Sequence, residues 1–122
     1  MGKISIIDDE LAVRKATGSL VRSLGFEARA FGSAEEFLAS PAALDSDCII
    51  SDVQMPGMGG IGLYQELVRR RSAIPFIFIT AFSEEGVRQK LGQRVRILHK
   101  PFKADLLAGY IENAIGSDGT PA

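Results

Sequence analysis

Apolar residues fall along this chain in two rhythms. Short, nearly continuous runs occur at "KISII" (3 to 7), "FEARAF" (26 to 31), "CIIS" (48 to 51), "FIFIT" (76 to 80) and "VRIL" (95 to 98), and each reads as a strand. The first, third and fourth barely alternate with polar residues, the pattern of strands covered on both faces. Between the runs the period lengthens. Val13, Ala16, Leu20, Val21 and Leu24 share one helical face, and Gly25 stands where a left-handed C-terminal cap belongs. "SAEE" (33 to 36) has capping-box spacing, with Ser33 able to accept from the backbone of Glu36 while Glu36 reaches back, so a short helix begins there and ends near Pro41. Ile61, Tyr64, Leu67 and Val68 predict a third helix, 84 to 92 a fourth, and Leu106, Leu107, Tyr110, Ile111 and Ile115 a fifth.

Strands alternating with helices predict an α/β fold, a three-layer open sheet of five parallel strands with helices on both faces. Residues 1 to 116 form one domain in this reading. Residues 117 to 122 lie in "GSDGTPA", which has no side chain able to pack, and are expected to be a flexible tail or the start of a linker.

Composition narrows the function. With 122 residues and 46% hydrophobic content, the chain can bury one core without metal or disulfide support. Its 14 lysines and arginines against 15 acids give no overall attraction to nucleic acid or an anionic membrane, so no direct contact with either is expected. The lone Cys48 has no partner for a bridge or a metal site and reads as a core residue in a reducing compartment. No apolar run is long enough to span a bilayer and no signal-type stretch opens the chain, so a cytoplasmic protein is expected.

In an open parallel sheet, sites form outside the carboxyl ends of the strands. Here the first strand ends in Asp8 and Asp9, the third in Asp52 and the fourth in Thr80, and the fifth is followed by Lys100 and Pro101. Each alone has an ordinary explanation: strand-end aspartates often cap the next helix, and Lys100 could simply pair with Asp52. Together they crowd three carboxylates onto one edge. At ~4 Å and an effective dielectric of ~20, each pair repels by on the order of 4 kcal/mol before screening. Oxygen ligands without histidine or cysteine suit a hard dication, and Mg2+ accepts two carboxylates, a carbonyl and several waters. A carboxylate beside a dication, an ammonium and a hydroxyl is arranged to attack phosphorus, giving an aspartyl phosphate.

The motifs "IIDDE", "SDVQMPGMGG", "FIT" with Thr80 and Ala81, and "HKPF" resemble, in order and spacing from Lys3 to Ile115, the receiver domain of two-component response regulators. "GSAEEFL" and "ADLLAGYIENAI" look most like the FixJ-type regulators, in which a receiver precedes a DNA-binding output domain. The resemblance implies strand order 2-1-3-4-5 and makes Asp52 the acceptor of phosphate from a histidine kinase. It places Mg2+ among Asp8, Asp9, Asp52 and the backbone carbonyl of Gln54. Lys100, Thr80 and the backbone N–H groups of Val53 and Ala81 would hold phosphoryl oxygens. A cis Lys100–Pro101 bond is also implied. Such a domain acts on no external substrate beyond its phosphodonor, and partners would be the kinase, an output domain or partner protein, and a second copy on phosphorylation.

The chain departs from the family at Ile97, where an aromatic residue is usual, and at Gly59, where an acid is common. The expectation is that Thr80 still moves and that 81 to 97 shifts without a side-chain flip, while Phe82 and Gln54 flank the acyl phosphate. Arg69, Arg70 and Arg71 read as a solvated helix end, His99 has no second ligand near it, and Phe102 should pack under the last helix. Three rivals stand beside this reading. A phosphohydrolase would want an acid at Gln54. A flavodoxin-like flavin carrier would want a hydroxyl-rich loop after the first strand. A stand-alone or degenerate receiver would act only through protein contacts.

Overall fold

A computed structural model describes residues 2–81, 88, 89, 91, 95–100 and 102–119. The elements run β1 (Lys3–Ile7), α1 (Leu11–Ser23), β2 (Glu27–Phe31), α2 (Ala34–Leu38), α3 (Ala42–Asp45), β3 (Cys48–Asp52), α4 (Gly59–Arg69), β4 (Phe76–Thr80), β5 (Arg96–His99) and α5 (Ala104–Gly119). All strand pairs are parallel, in the order β2-β1-β3-β4-β5. The three runs expected to be covered on both faces, β1, β3 and β4, are the three interior strands. Every residue of β3 and β4 is buried, whereas β2 at one edge is half exposed.

Side chains alternate across the sheet, as a pleated strand requires. Ile7, Ile49, Phe76, Phe78 and Ile97 face one way, against Phe37 of α2, Ala42 and Ala43 of α3, and Leu63 and Leu67 of α4. Ile4, Ile6, Ile50, Ile77, Ile79 and Leu98 face the other, against Val21 of α1 and Leu107, Ile111 and Ala114 of α5. Each fully buried isoleucine contributes roughly 2 kcal/mol. Phe102 packs against this second cluster, as its position after β5 suggested. Cys48 is fully buried there, and burial pushes its thiol pKa up to about 12.

Local chemistry sets the boundaries. α1 ends in a Schellman motif: Gly25, at φ 95°, donates to the Arg22 carbonyl, and Phe26 donates to that of Val21. α4 ends the same way, with Arg71 donating to Val68 and Ser72 to Leu67, but the left-handed residue is Arg71 at φ 60°. Ser33 caps α2 by accepting from the Glu36 N–H at 3.0 Å, while the Glu36 carboxylate takes the Gly32 N–H rather than that of Ser33. The short α3 was not anticipated. Its cue is Ser40-Pro41: the Ser40 hydroxyl accepts from the Ala42 N–H at 2.9 Å, and proline suits a helix start.

α4, the helix read from Ile61, Tyr64, Leu67 and Val68, buries Leu63 and Leu67, while Val68, expected on its inner face, is largely exposed. The helix expected within 84–92 falls mostly outside the described residues, as do Phe82 and Pro101. α5 continues in helical form to Gly119, past Ile115. No helix among the described residues is long and apolar enough to cross a membrane.

Candidate functional site

The carboxyl ends of β1, β3 and β4, with the residue following β5, meet at one edge. Asp8 follows β1 and is buried; its Oδ1 accepts the Glu10 N–H at 2.9 Å, the turn role an aspartate at this place commonly fills. The same side chain faces the site: its Oδ2 lies 3.4 Å from Lys100 Nζ. Asp52, the last residue of β3, is also buried, with Oδ2 3.2 Å from Lys100 Nζ and Oδ1 accepting the Gln54 N–H at 3.3 Å. Thr80 ends β4 fully buried, and its carbonyl accepts the Lys100 N–H at 2.7 Å, so the backbone ties two of the predicted groups together.

One carboxylate oxygen from each of Asp8, Glu10 and Asp52 lies within 4.8 Å of the others. Asp9, grouped with them from the sequence, is exposed and outside this cluster. Glu10 belongs to the cluster instead, 3.5 Å from Lys100 Nζ. Sequence reasoning missed Glu10 because it counted only strand-end residues, and the chain turns back one residue later, through the Asp8 to Glu10 hydrogen bond. A second correction concerns Val53. Its N–H donates to the Ile79 carbonyl at 3.1 Å, continuing the β3–β4 ladder, rather than facing the Asp52 carboxylate. The amide that faces the Asp52 carboxylate is that of Gln54. Ala81 sits at the exposed bend following Thr80.

Charge is unevenly balanced here. Burial, and behind it the like charge of Asp52, raise the Asp8 pKa above its ordinary value, despite the opposing Glu10 N–H and Lys100. Burial pulls Lys100 down, but Asp8 and Asp52 more than offset it and its pKa is raised. Among the described residues, three acids face one ammonium and the metal-ligand cluster is made of carboxylate oxygens without histidine or thiolate, a set that fits a hard dication such as Mg2+. Lys100 also walls an apolar groove that runs along α1 past Val13, Ala16 and Leu20 to Phe102.

The β3–α4 loop carries glycine where geometry demands it. Gly57 and Gly59 have φ of 82° and 73°, which explains glycine rather than an acid at position 59. Gly60 has a different reason: a Cβ there would collide with the Asp52 carbonyl. Ile97, at the place where an aromatic side chain was expected from the resemblance, is buried among Phe78, Val95 and their neighbours. Arg69 and Arg70 both pair with Glu66, consistent with a solvated helix end, and His99 is exposed at the end of β5.

Comparison with known proteins agrees with this geometry. The family described as "Response regulator receiver domain" matches residues 4–112. The transcriptional regulatory protein FixJ of Bradyrhizobium diazoefficiens is 37% identical over 117 residues, covering 93% of this chain and 57% of that protein. Nodulation protein W of the same organism is also 37% identical, covering 94% of this chain and 52% of its own length. The chain thus spans about half the length of these relatives. Among solved structures, the crystal structure of FixJ-N superposes with a TM-score of 0.82 at 31% identity, covering all of this chain and 98% of the other.

Proposed function

We propose, since the chain belongs to the response regulator receiver domain family of two-component signalling, that it works as a switch phosphorylated on Asp52, with a histidine kinase as donor. The observation that carries this reading is the buried Asp52 carboxylate 3.2 Å from Lys100, with a second buried acid, Asp8, on the same ammonium.

The chemistry follows from the placement. A carboxylate oxygen of Asp52 attacks the phosphorus, a P–O bond forms as the donor's P–N bond breaks, and the electron pair leaves with the donor imidazole. Lys100 offers a compact charge to the phosphoryl oxygens, and Thr80 a hydroxyl from the neighbouring strand. The Gln54 N–H, which already faces Asp52, takes the donor role first assigned to Val53, and the Ala81 N–H, next in the chain after Thr80, would be a further donor.

Mg2+ supplies charge neutralisation when bound. Asp8, Asp52 and the carbonyl of Gln54 would hold it, with Glu10 nearer than Asp9 as the chain is folded. A receiver domain is a signalling domain rather than an enzyme with an outside substrate. The lengths of the relatives, roughly twice that of the matched region, support an output domain beyond it, and the name of FixJ, a transcriptional regulatory protein, supports transcription as the controlled process; the cytoplasm is the setting in this reading. Phosphorylation would change the surface offered to that domain or to a second copy. The intact Asp52 and Lys100 pair speaks against a degenerate receiver, and Gln54 in place of an acid speaks against a phosphohydrolase.

The test is direct. Incubated with acetyl phosphate and Mg2+, the wild type should gain the mass of one phosphoryl group, while Asp52→Asn or added chelator should prevent it. Modification persisting in Asp52→Asn would refute the assignment. Gel filtration of the same samples reads any change of assembly.

A further inference from the structure

The loop from Val53 to Gly60 carries the Gln54 amide to Asp52, so its shape sets the geometry of the acceptor. Beyond the Val53 N–H that continues the β3–β4 ladder, its hydrogen bonds include Gln54 N–H to Asp52 Oδ1 at 3.3 Å, Gly60 N–H to the Val53 carbonyl at 3.0 Å, and Met58 N–H to Glu35 Oε2 at 2.9 Å. The first two lie within the loop and its own strand and helix. The third comes from α2, which precedes the loop by some twenty residues.

Glu35 fills a defined gap. α4 starts at Gly59 with no acidic residue in its first turn, and the residue before it, Met58, has no side chain able to cap it. The Glu35 carboxylate supplies from a neighbouring helix the acceptor that the local sequence lacks, at the end where a negative charge is favoured. It also fixes the approach: a Cβ on Gly57 would run into Glu35 Oε2. With φ of 82° at Gly57 and 73° at Gly59, the segment on either side of Met58 has backbone freedom that an outside anchor can remove.

We infer that Glu35 is a positioning residue for the phosphoacceptor loop, acting through its hydrogen bond to the Met58 N–H to hold Gln54 in register with the acid cluster. This rests on the receiver-domain reading of the site. Glu35 touches none of the reacting groups. Its effect is to keep the Gln54 N–H on the Asp52 carboxylate and the Gln54 carbonyl free to face a bound cation, as supporting hydrogen bonds around metal ligands generally do.

The experiment uses the 15N-labelled 122-residue chain and a Mg2+ titration followed through the amide signals of Asp8, Asp52 and Gln54. Glu35→Ala should raise the half-saturating Mg2+ at least about threefold, with the Gln54 and Met58 signals displaced before any metal is added. Glu35→Gln keeps an acceptor oxygen of the same reach and should stay within about twofold of wild type. Glu35→Asp, one methylene shorter, should behave like Glu35→Ala and serves if that variant folds poorly. Thermal melts run alongside. A lowered Tm with unchanged Mg2+ affinity, or Glu35→Gln as impaired as Glu35→Ala, would overturn the inference. If Mg2+ leaves the wild-type Asp8, Asp52 and Gln54 signals unmoved, the metal reading itself fails, an outcome separate from either variant.

Discussion

Lys100 Nζ lies 3.2 Å from Asp52 Oδ2, although 48 residues separate them in the chain. The same nitrogen reaches Asp8 at 3.4 Å and Glu10 at 3.5 Å, making it a shared counter-charge to three acids. Lys100→Met should therefore lower stability in chelator by about 3 kcal/mol, the lower end of what removing one partner of a buried ion pair costs. Urea unfolding at two pH values checks it. The loss should be smaller at pH 5 than at pH 7, because Asp8, its pKa already raised, can take up a proton when Lys100 is gone.

Asp8 gives the complementary prediction. Its folded pKa stands above its ordinary 3.8, chiefly through burial. An acid raised in this way contributes stability that is fully present below the unfolded value and is lost as pH rises through the folded one. At neutral pH its ionised form is thus a net cost. Asp8→Asn keeps an oxygen for the Glu10 N–H and should stabilise the metal-free protein at pH 7 by on the order of 1 kcal/mol, the scale of one relieved charge contact. The gain should fade towards pH 4, and thermal melts across that range would show it.

Gly60 tests how tightly α4 is seated on β3. A methyl group there meets the Asp52 carbonyl, which belongs to the backbone and cannot swing aside. Gly60→Ala should cost about 3 kcal/mol in urea unfolding, at the upper end for an added methyl, and should slow Asp52 phosphorylation because the acceptor's own peptide must move.

Arg71 occupies the left-handed position of a Schellman motif that α1 fills with Gly25. Its φ of 60° carries a strain that glycine lacks. Arg71→Gly should raise stability by about 1 kcal/mol without altering phosphorylation, since the α4 terminus lies at the opposite end of that helix from Asp52. Chemical denaturation and phosphorylation kinetics on one preparation would check both halves.

The sheet was legible because its interior strands announce themselves. Ile4 to Ile7, Ile49 to Ser51 and Phe76 to Ile79 are so uniformly buried that no amphipathic pattern competes with a central-strand reading. The site was legible for the same reason, since Asp8, Asp52 and Thr80 stand where these runs stop. What escaped depended on backbone paths that residue identity does not reveal. Glu10 enters the cluster because the chain doubles back after Asp8, and the Val53 N–H is drawn into the ladder because β3 stays paired one residue beyond Asp52. The short α3 was hidden behind Pro41, which reads equally as the end of one helix and the start of another.

The chain's single thiol, Cys48, sits at 0% exposure with a pKa near 12, chiefly from burial, leaving almost no thiolate at neutral pH. Alkylating probes should pass it by in the native state. Two cysteines engineered at surface positions would then be the sole points of attachment for a pair of spin labels or dyes, so the distance between them can be compared in activated and resting forms with Cys48 left in place.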